Sequence, residues 1–322
     1  MLSYIGRRFL YSIPVLFFST FFSFIFVSYA ANPLITVRAN PRASKHLINL
    51  LIHQTHLDKP VILRYFYWLD SVFTDKLGKS LVTLQPIWPD ITRTMGHTAQ
   101  LILISETLAI LLGIAVGIYS AIRQYSPFDY VFTSVSFLGF AMPVFWLALV
   151  LQILFVDIYN KWHVRIFYTS TLNSIPGGPA WSIDRLQHLA LPVFTLLVVS
   201  FALYSRYMRA SMLDVINSDY VRTARAKGLS ERRVIMRHVF RNALIPITTV
   251  AALNVGGLLG GAIVTETIFT LDGLGAYFVQ KLGLGDTYGV MAYLLVTAMI
   301  VVLFNLVADI AYGFLDPRIR YD

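Results

Sequence analysis

Cysteine is absent from all 322 residues, which excludes disulfides and thiolate metal sites. Charge is scarce as well. Only 13% of residues are Asp, Glu, Lys or Arg, against about 25% in an ordinary soluble domain, so the chain has too little polar side chain to cover a globule of its size. Acidic residues are the scarcer sign, 17 against 26 basic ones. What fills the sequence instead is apolar: 57% hydrophobic residues and 14% aromatic. That composition places the chain in a bilayer. A spanning helix needs about 20 predominantly apolar residues, and six such runs are present, at 9–30, 99–121, 131–155, 188–206, 244–268 and 290–313.

The net charge of +9 would raise nucleic acid as a partner in a soluble chain. Sorting the basic residues by membrane side removes that reading. With the N-terminus inside, Arg7, Arg8, Arg123, the 206–241 block, Arg318 and Arg320 share one side close to span ends, the positive-inside pattern. Arg38, Arg42, Lys59 and Arg93 fall in the long first external segment, where the rule has little force. The N-terminus also resembles a secretory signal, with Arg7 and Arg8 before an apolar run and small residues Ser28 and Ala30 after it. Its run of about 22 residues exceeds the 7–15 of such signals, so a retained first span is expected.

Residues 31–98 form the one sizeable polar stretch outside. Short helices are expected near 43–56 and 60–73, followed by a connection punctuated by Gly78, Pro86 and Pro89. "LGKSL" within it is no nucleotide-binding loop, because the glycine required five positions before Gly78 is Phe73. His46, His53 and His56 lie close in sequence, but solvated histidines account for them and no metal site is assigned. Stretches 174–194 and 270–289 read as external loops. Pro14, Pro143, Pro192 and Pro246 fall in or near spans, as kinks or as gating elements.

Polar residues inside spans are costly: Glu106 at mid-membrane would cost about 2.5–3.5 kcal/mol on insertion scales. Glu106, Gln152, Asn254, Glu266, Asn305 and Asp309 should therefore face protein or a water-filled cavity. Glu106, Gln152, Asn254 and Glu266 are the candidate pathway-lining residues, and polar contacts between helices explain them equally well. In "NVGGLLGGA", Gly256, Gly257, Gly260 and Gly261 permit close helix packing.

Between the fourth and fifth spans lies "DYVRTARAKGLSERRVIMRHVFRNALIPI", residues 219–247, with seven Lys or Arg. It is too long for a hairpin turn, so it must fold. Ser218 or Asp219 can cap a helix over 220–227, and Gly228 can supply the left-handed residue that stops it. Ser230 can cap a second helix bearing Glu231, Arg232, Arg233, Arg237 and Arg241, with Pro246 marking entry to the membrane. Three roles fit a basic block here: a face on anionic lipid, a topology determinant, or a docking element for a cytoplasmic protein. A small-residue helix with Ala224 and Ala226, a glycine stop and a second basic helix is more particular than topology requires, which favours docking.

This block resembles the signature loop of inner-membrane permeases of ATP-binding cassette importers, in the dipeptide, oligopeptide and nickel branch, and specifically the first of the two permease subunits. "LDKPVILRYFYWL" at 57–69, "MPVFW" at 142–146, "HLALPVFTL" at 188–196, "TETIFTLDGLG" at 265–275 and "VADIAYGFLDPRIR" at 307–320 agree with it, so the resemblance covers nearly the whole chain. Where the wider family has Glu-Ala-Ala, three residues and Gly, this chain has Arg222, Thr223, Ala224 and Gly228, so the acidic residue is missing. The resemblance implies an all-α membrane protein with the six-span type I importer fold: a tail and first span over 1–30, a small helical external subdomain over 31–98, and a five-span core over 99–322 with a cytoplasmic coupling loop at 207–243. It implies no catalytic residue and no cofactor on this chain, ATP and Mg being bound by partner subunits. The implied partners are a second, non-identical permease, two cytoplasmic ATPase subunits, an external substrate-binding protein, a peptide substrate and membrane lipid. Both termini would be cytoplasmic. Coupling to the ATPase is implied for Asp219, Tyr220, Arg222, Thr223, Ala224, Arg225, Ala226, Lys227, Gly228 and Leu229. The alternatives are an ion-coupled secondary transporter using Glu106 or Asp309, a non-transporting scaffold that recruits a cytosolic protein, or, within the branch, nickel or other small-solute uptake.

Overall fold

The computed structural model describes residues 2–30, 34, 48–49, 52–53 and 56–315. Among them the regular elements are helices: α1 (Leu2–Ala30), α2 (Val61–Thr74), α3 (Trp88–Ile122), α4 (Pro127–Ala141), α5 (Val144–Trp162), α6 (Ile183–Ile216), α7 (Asp219–Ala226), α8 (Glu231–Arg233), a π-helical stretch at Val234–Val239, α9 (Phe240–Leu259), α10 (Ile263–Ile268), α11 (Leu274–Gly283) and α12 (Thr287–Leu315). Six helical stretches are long and apolar enough to cross a membrane: Gly6–Ala30, Trp88–Ile122, Val144–Trp162, Ile183–Ile216, Glu231–Ile268 and Thr287–Ala311.

The third span differs from the single run expected at 131–155. Ser126 caps α4 by accepting from the Asp129 amide at 3.2 Å, and Pro127 supplies a preset first position. The helix stops at Ala141 because Met142 is extended (φ −77°, ψ 123°), as a residue before proline tends to be, and α5 resumes after Pro143. His163, in the left-handed conformation, ends it. Pro14, Pro192 and Pro246 do not interrupt their helices. The stretch 270–289, expected to be a loop, contains α11. The expected helix near 43–56 and His46 lie mostly outside the described residues, whereas the one near 60–73 is α2.

The molecule divides into two compact units. One comprises the described residues up to Ala99, with Leu259–Thr267 and Leu271–Val302. Its core packs Phe24 of α1, Tyr65 and Trp68 of α2, Ile87 and Ile91, Leu274 and Tyr277 of α11, and Met291 of α12. The polar connection after α2 is tied into this core by Asp286, which accepts from Ser80 Oγ at 2.5 Å and the Leu81 amide at 3.0 Å and pairs with buried Lys281 at 3.3 Å.

The other unit comprises Gln100–Leu258, Ile268–Thr270 and the described residues from Leu303 on. Here α3 and α6 approach closely at Gly113 and Gly117. A Cβ on Gly113 would lie 2.7 Å from that of Tyr204, and one on Gly117 2.5 Å from that of Met208. Two glycines one turn apart strip side chain from one helix face, so dispersion contacts replace the missing hydrophobic drive between helices in lipid. Likewise, a Cβ on Gly256 would meet that of Phe304 at 2.6 Å, whereas Gly257 has open space around it. Asp129 closes the start of α4 onto α6 through Arg209, with Nε and Nη2 donating at 2.7 and 2.8 Å.

Candidate functional site

The basic block folds much as its residues dictate. α7 begins after Ser218, which has the extended conformation of a helix cap but donates its hydroxyl back to the Val215 carbonyl at 2.6 Å, so the expected side-chain cap is not formed. Asp219 lies in the first turn, where its charge suits the helix dipole. The helix spans 219–226, and Gly228 has φ +75°, the left-handed geometry expected of a stop. No atom lies within 4 Å of where a Gly228 Cβ would be. Backbone conformation, not space, is what calls for glycine there.

Only two α7 side chains are buried, Val221 (0% exposed) and Ala224 (6%), one turn apart. They join Met208 and Met212 of α6, Val234 and Val239 of the π-helical stretch, and Ala243 and Ile247 of α9 in one apolar cluster, against which Leu229 also packs. Asp219, Tyr220, Arg222, Thr223, Arg225, Ala226, Lys227 and Gly228 remain exposed. The helix is therefore anchored by one face and offers the other.

Polar contacts stiffen the attachment. Arg225 donates to both Glu231 carboxylate oxygens, at 3.1 and 2.7 Å, and this pairing holds its guanidinium above the ordinary range. Asn242 Nδ2 donates to the Tyr220 hydroxyl at 3.0 Å and so links α7 to the base of α9. Arg222 and Asp219 approach to 3.7 Å on the exposed face. Beyond Ser230, which forms no side-chain cap bond, α8, the π-helical stretch and α9 follow without a break. The π-helical register carried no signal in the sequence.

The four candidate pathway residues fall into separate settings. Glu106 and Asn254 meet. Glu106 (2% exposed) accepts from Ser200 Oγ and Tyr204 Oη, both at 2.5 Å, and from Asn254 Nδ2 at 3.2 Å, so one carboxylate joins α3, α6 and α9. Gln152, half-buried on α5, donates to the Thr169 and Ile268 carbonyls at 2.7 and 2.9 Å. Glu266 is fully buried on α10 and accepts from Thr98 Oγ1 at 2.6 Å and from the Gly275 and Ala276 amides at 2.8 and 3.0 Å, capping α11. Gly273 is glycine for room, since a Cβ would lie 2.3 Å from the Glu266 carboxyl carbon. The signal for this cap was present in the spacing of "TETIFTLDGLG", but the fold was needed to read it. Among the described residues no group of three His, Cys, Asp or Glu is placed to hold a metal ion; His56 stacks on Tyr67 at 4.1 Å.

Six apolar helical stretches and a folded basic loop between the fourth and fifth define a multi-pass helical membrane protein. The chain belongs to the family of binding-protein-dependent transport system inner membrane components, whose model matches residues 113–321. It is 38% identical to the oligopeptide transport system permease protein AppB of Bacillus subtilis, over 100% of both chains. It is 36% identical to OppB of Mycobacterium tuberculosis, an oligopeptide transport system permease protein, over 99% of each chain. With the dipeptide transport system permease protein DppB of Escherichia coli K12 it shares 34% identity over 100% of this chain and 99% of the relative. Its fold is similar to that of a chain of the inward-facing MetNI methionine ABC transporter, with a TM-score of 0.57 at 14% identity, covering 72% of this chain and 99% of that one.

Proposed function

We propose that this chain is one of two non-identical permeases in an ATP-driven importer of oligopeptides or dipeptides. The observation that carries the reading is end-to-end likeness to permeases named for oligopeptide and dipeptide transport. In this reading the division is a first span over 1–30, an external segment over 31–98 and a five-span core over 99–322, with both termini cytoplasmic. An external binding protein delivers the peptide, and two cytoplasmic ATPase subunits bind and hydrolyse ATP with Mg.

The exposed face of α7, with Gly228 and Leu229, seats in a groove of one ATPase. Three features of the loop support this role: one buried face, the Arg225–Glu231 fork and the Tyr220–Asn242 bond. Switching a two-state transporter from 1:99 to 99:1 takes about 5.5 kcal/mol of differential binding, and an anchored helix transmits displacement that a floppy loop would dissipate. ATP-driven closure of the ATPase pair moves α7, and α6 and α9 carry the motion into the membrane. Gln152 and Asn254, only partly buried, are the lining candidates; Glu106 and Glu266 hold helices in place.

The test is reconstitution of the complete complex in proteoliposomes with a labelled oligopeptide, alongside mass-spectrometric identification of the ligand held by the copurifying binding protein. Uptake that requires ATP and every subunit is expected. Uptake by this chain alone under a proton gradient would establish a secondary transporter instead, and a nickel chelate in the receptor would replace the peptide.

A further inference from the structure

Beyond α7 lies a second basic feature that the coupling role does not use. Ser230, Arg232, Arg233, Met236, Arg237 and Arg241 line an open cleft of about 600 Å³ at the start of the fifth membrane-crossing stretch. Three other arginines of the same unit pair with a carboxylate, Arg209 with Asp129, Arg222 with Asp219 and Arg225 with Glu231. None of the four in the cleft has a carboxylate partner among the described residues. Arg233, Arg237 and Arg241 recur every fourth position, so they run along one side of the helix, while Val234, Val239, Ala243 and Ile247 turn into the apolar cluster. Met236, 53% exposed, gives the cleft an apolar wall.

Depth decides what fits. The continuous apolar run begins at Ala243, and at 1.5 Å per residue Arg241 sits about 3 Å and Arg237 about 9 Å from it along the axis. The headgroup layer on each side of a bilayer is roughly 5–8 Å thick. Arg241 thus lies within that layer and Arg237 about 1 Å outside it, with a stem long enough to reach back, whereas Arg233 and Arg232 lie about 15 and 16 Å from the run, on the cytoplasmic side. We propose that the Arg237–Arg241 end of this cleft, the end nearer the membrane, binds the phosphate headgroup of an anionic phospholipid. Guanidinium forks match phosphate oxygens in two-point hydrogen bonding, which suits arginine over lysine. Because the cleft continues into α9, and Asn242 of α9 holds Tyr220 of α7, bound lipid would stiffen the base on which α7 stands.

The experiment uses the purified permease with its partner subunits, in nanodiscs of phosphatidylcholine containing a few per cent of a photoactivatable phosphatidylglycerol. After illumination, peptide mapping should find adducts in residues 230–241 that unlabelled phosphatidylglycerol competes away and phosphatidylcholine does not. Adducts confined to other segments would overturn the proposal. In parallel, R237Q/R241Q should weaken phosphatidylglycerol retention about 30-fold, equivalent to about 2 kcal/mol at about 1 per arginine, while R237K/R241K, which keeps the charge and loses the fork, should fall between it and the wild type. Unchanged retention in the glutamine variant would also sink the idea. Loss of an ATPase subunit from that variant with lipid retention intact would assign the cleft to a protein instead. If the glutamine variant does not assemble, the wild-type adduct map decides alone.

Discussion

At Gly228 the requirement is conformational: φ is +75° and the surroundings are empty, so a side chain there meets strain without collision. Left-handed geometry costs a residue with a Cβ about 1–2 kcal/mol, and a β-branched one tolerates it least. Gly228→Val should therefore leave membrane insertion intact and weaken stimulation of ATP hydrolysis by the binding protein, and Gly228→Asn should weaken it less. Normal stimulation and transport by the valine variant in proteoliposomes would remove α7 from the coupling path. Glu106 is the opposite kind of residue, one whose side chain is fully engaged. Glu106→Ala removes the acceptor of the Ser200 and Tyr204 hydroxyl protons in an enclosed site and leaves each oxygen only the bond it accepts from Asn254, and each lost bond is expected to cost about 1–3 kcal/mol. A lowered thermal midpoint of the detergent-purified permease is the expected outcome; an unchanged midpoint would show that the three helices hold together without it.

Between elements, close approach rather than polarity governs. Gly117 faces the Met208 Cβ at 2.5 Å for its own absent Cβ, so α3 and α6 cannot keep their separation once a side chain is added. Gly117→Val is expected to reduce the yield of folded permease sharply, while Gly257→Ala, with nothing within 4 Å, should be neutral in place and gain slightly from better helix propensity. Size-exclusion profiles of the two variants provide the comparison, and equal profiles would contradict the packing argument. This contact is written in the sequence as "GIAVG", a pair of glycines less conspicuous than the cluster at 256–261. Of that cluster Gly256 meets a neighbouring helix, at Phe304, and Gly261 (φ +126°) meets the Gly275 backbone, whereas Gly257 meets nothing. A glycine pattern marks where helices can approach; it does not say which of them do.

For the molecule as a whole, the family assigns transport, and the loop is the element proposed to drive it from outside the membrane. Glu106 and Glu266, two of the carboxylates in membrane-crossing stretches, each accept several hydrogen bonds from inside the chain, a poor arrangement for a residue that must release a proton to a pathway. A collapsed proton gradient should accordingly leave peptide uptake unchanged in proteoliposomes loaded with ATP and all subunits, while omission of the ATPases abolishes it; loss of uptake on adding a protonophore would favour the ion-coupled alternative.

Span number, the short helix of α7 and the glycine that ends it followed from local chemistry: apolar run length, an acidic residue at the helix start in Asp219, and a residue free to adopt positive φ. These depend on neighbours in sequence, so the sequence determined them. Which polar residues meet was decided only in three dimensions. Glu106 found Ser200, Tyr204 and Asn254 from far along the chain, Glu266 capped α11 across a turn, and the third span broke at Met142–Pro143 instead of running through. A buried carboxylate must be satisfied, but many distant donors could satisfy it, and only the packing of helices selects among them.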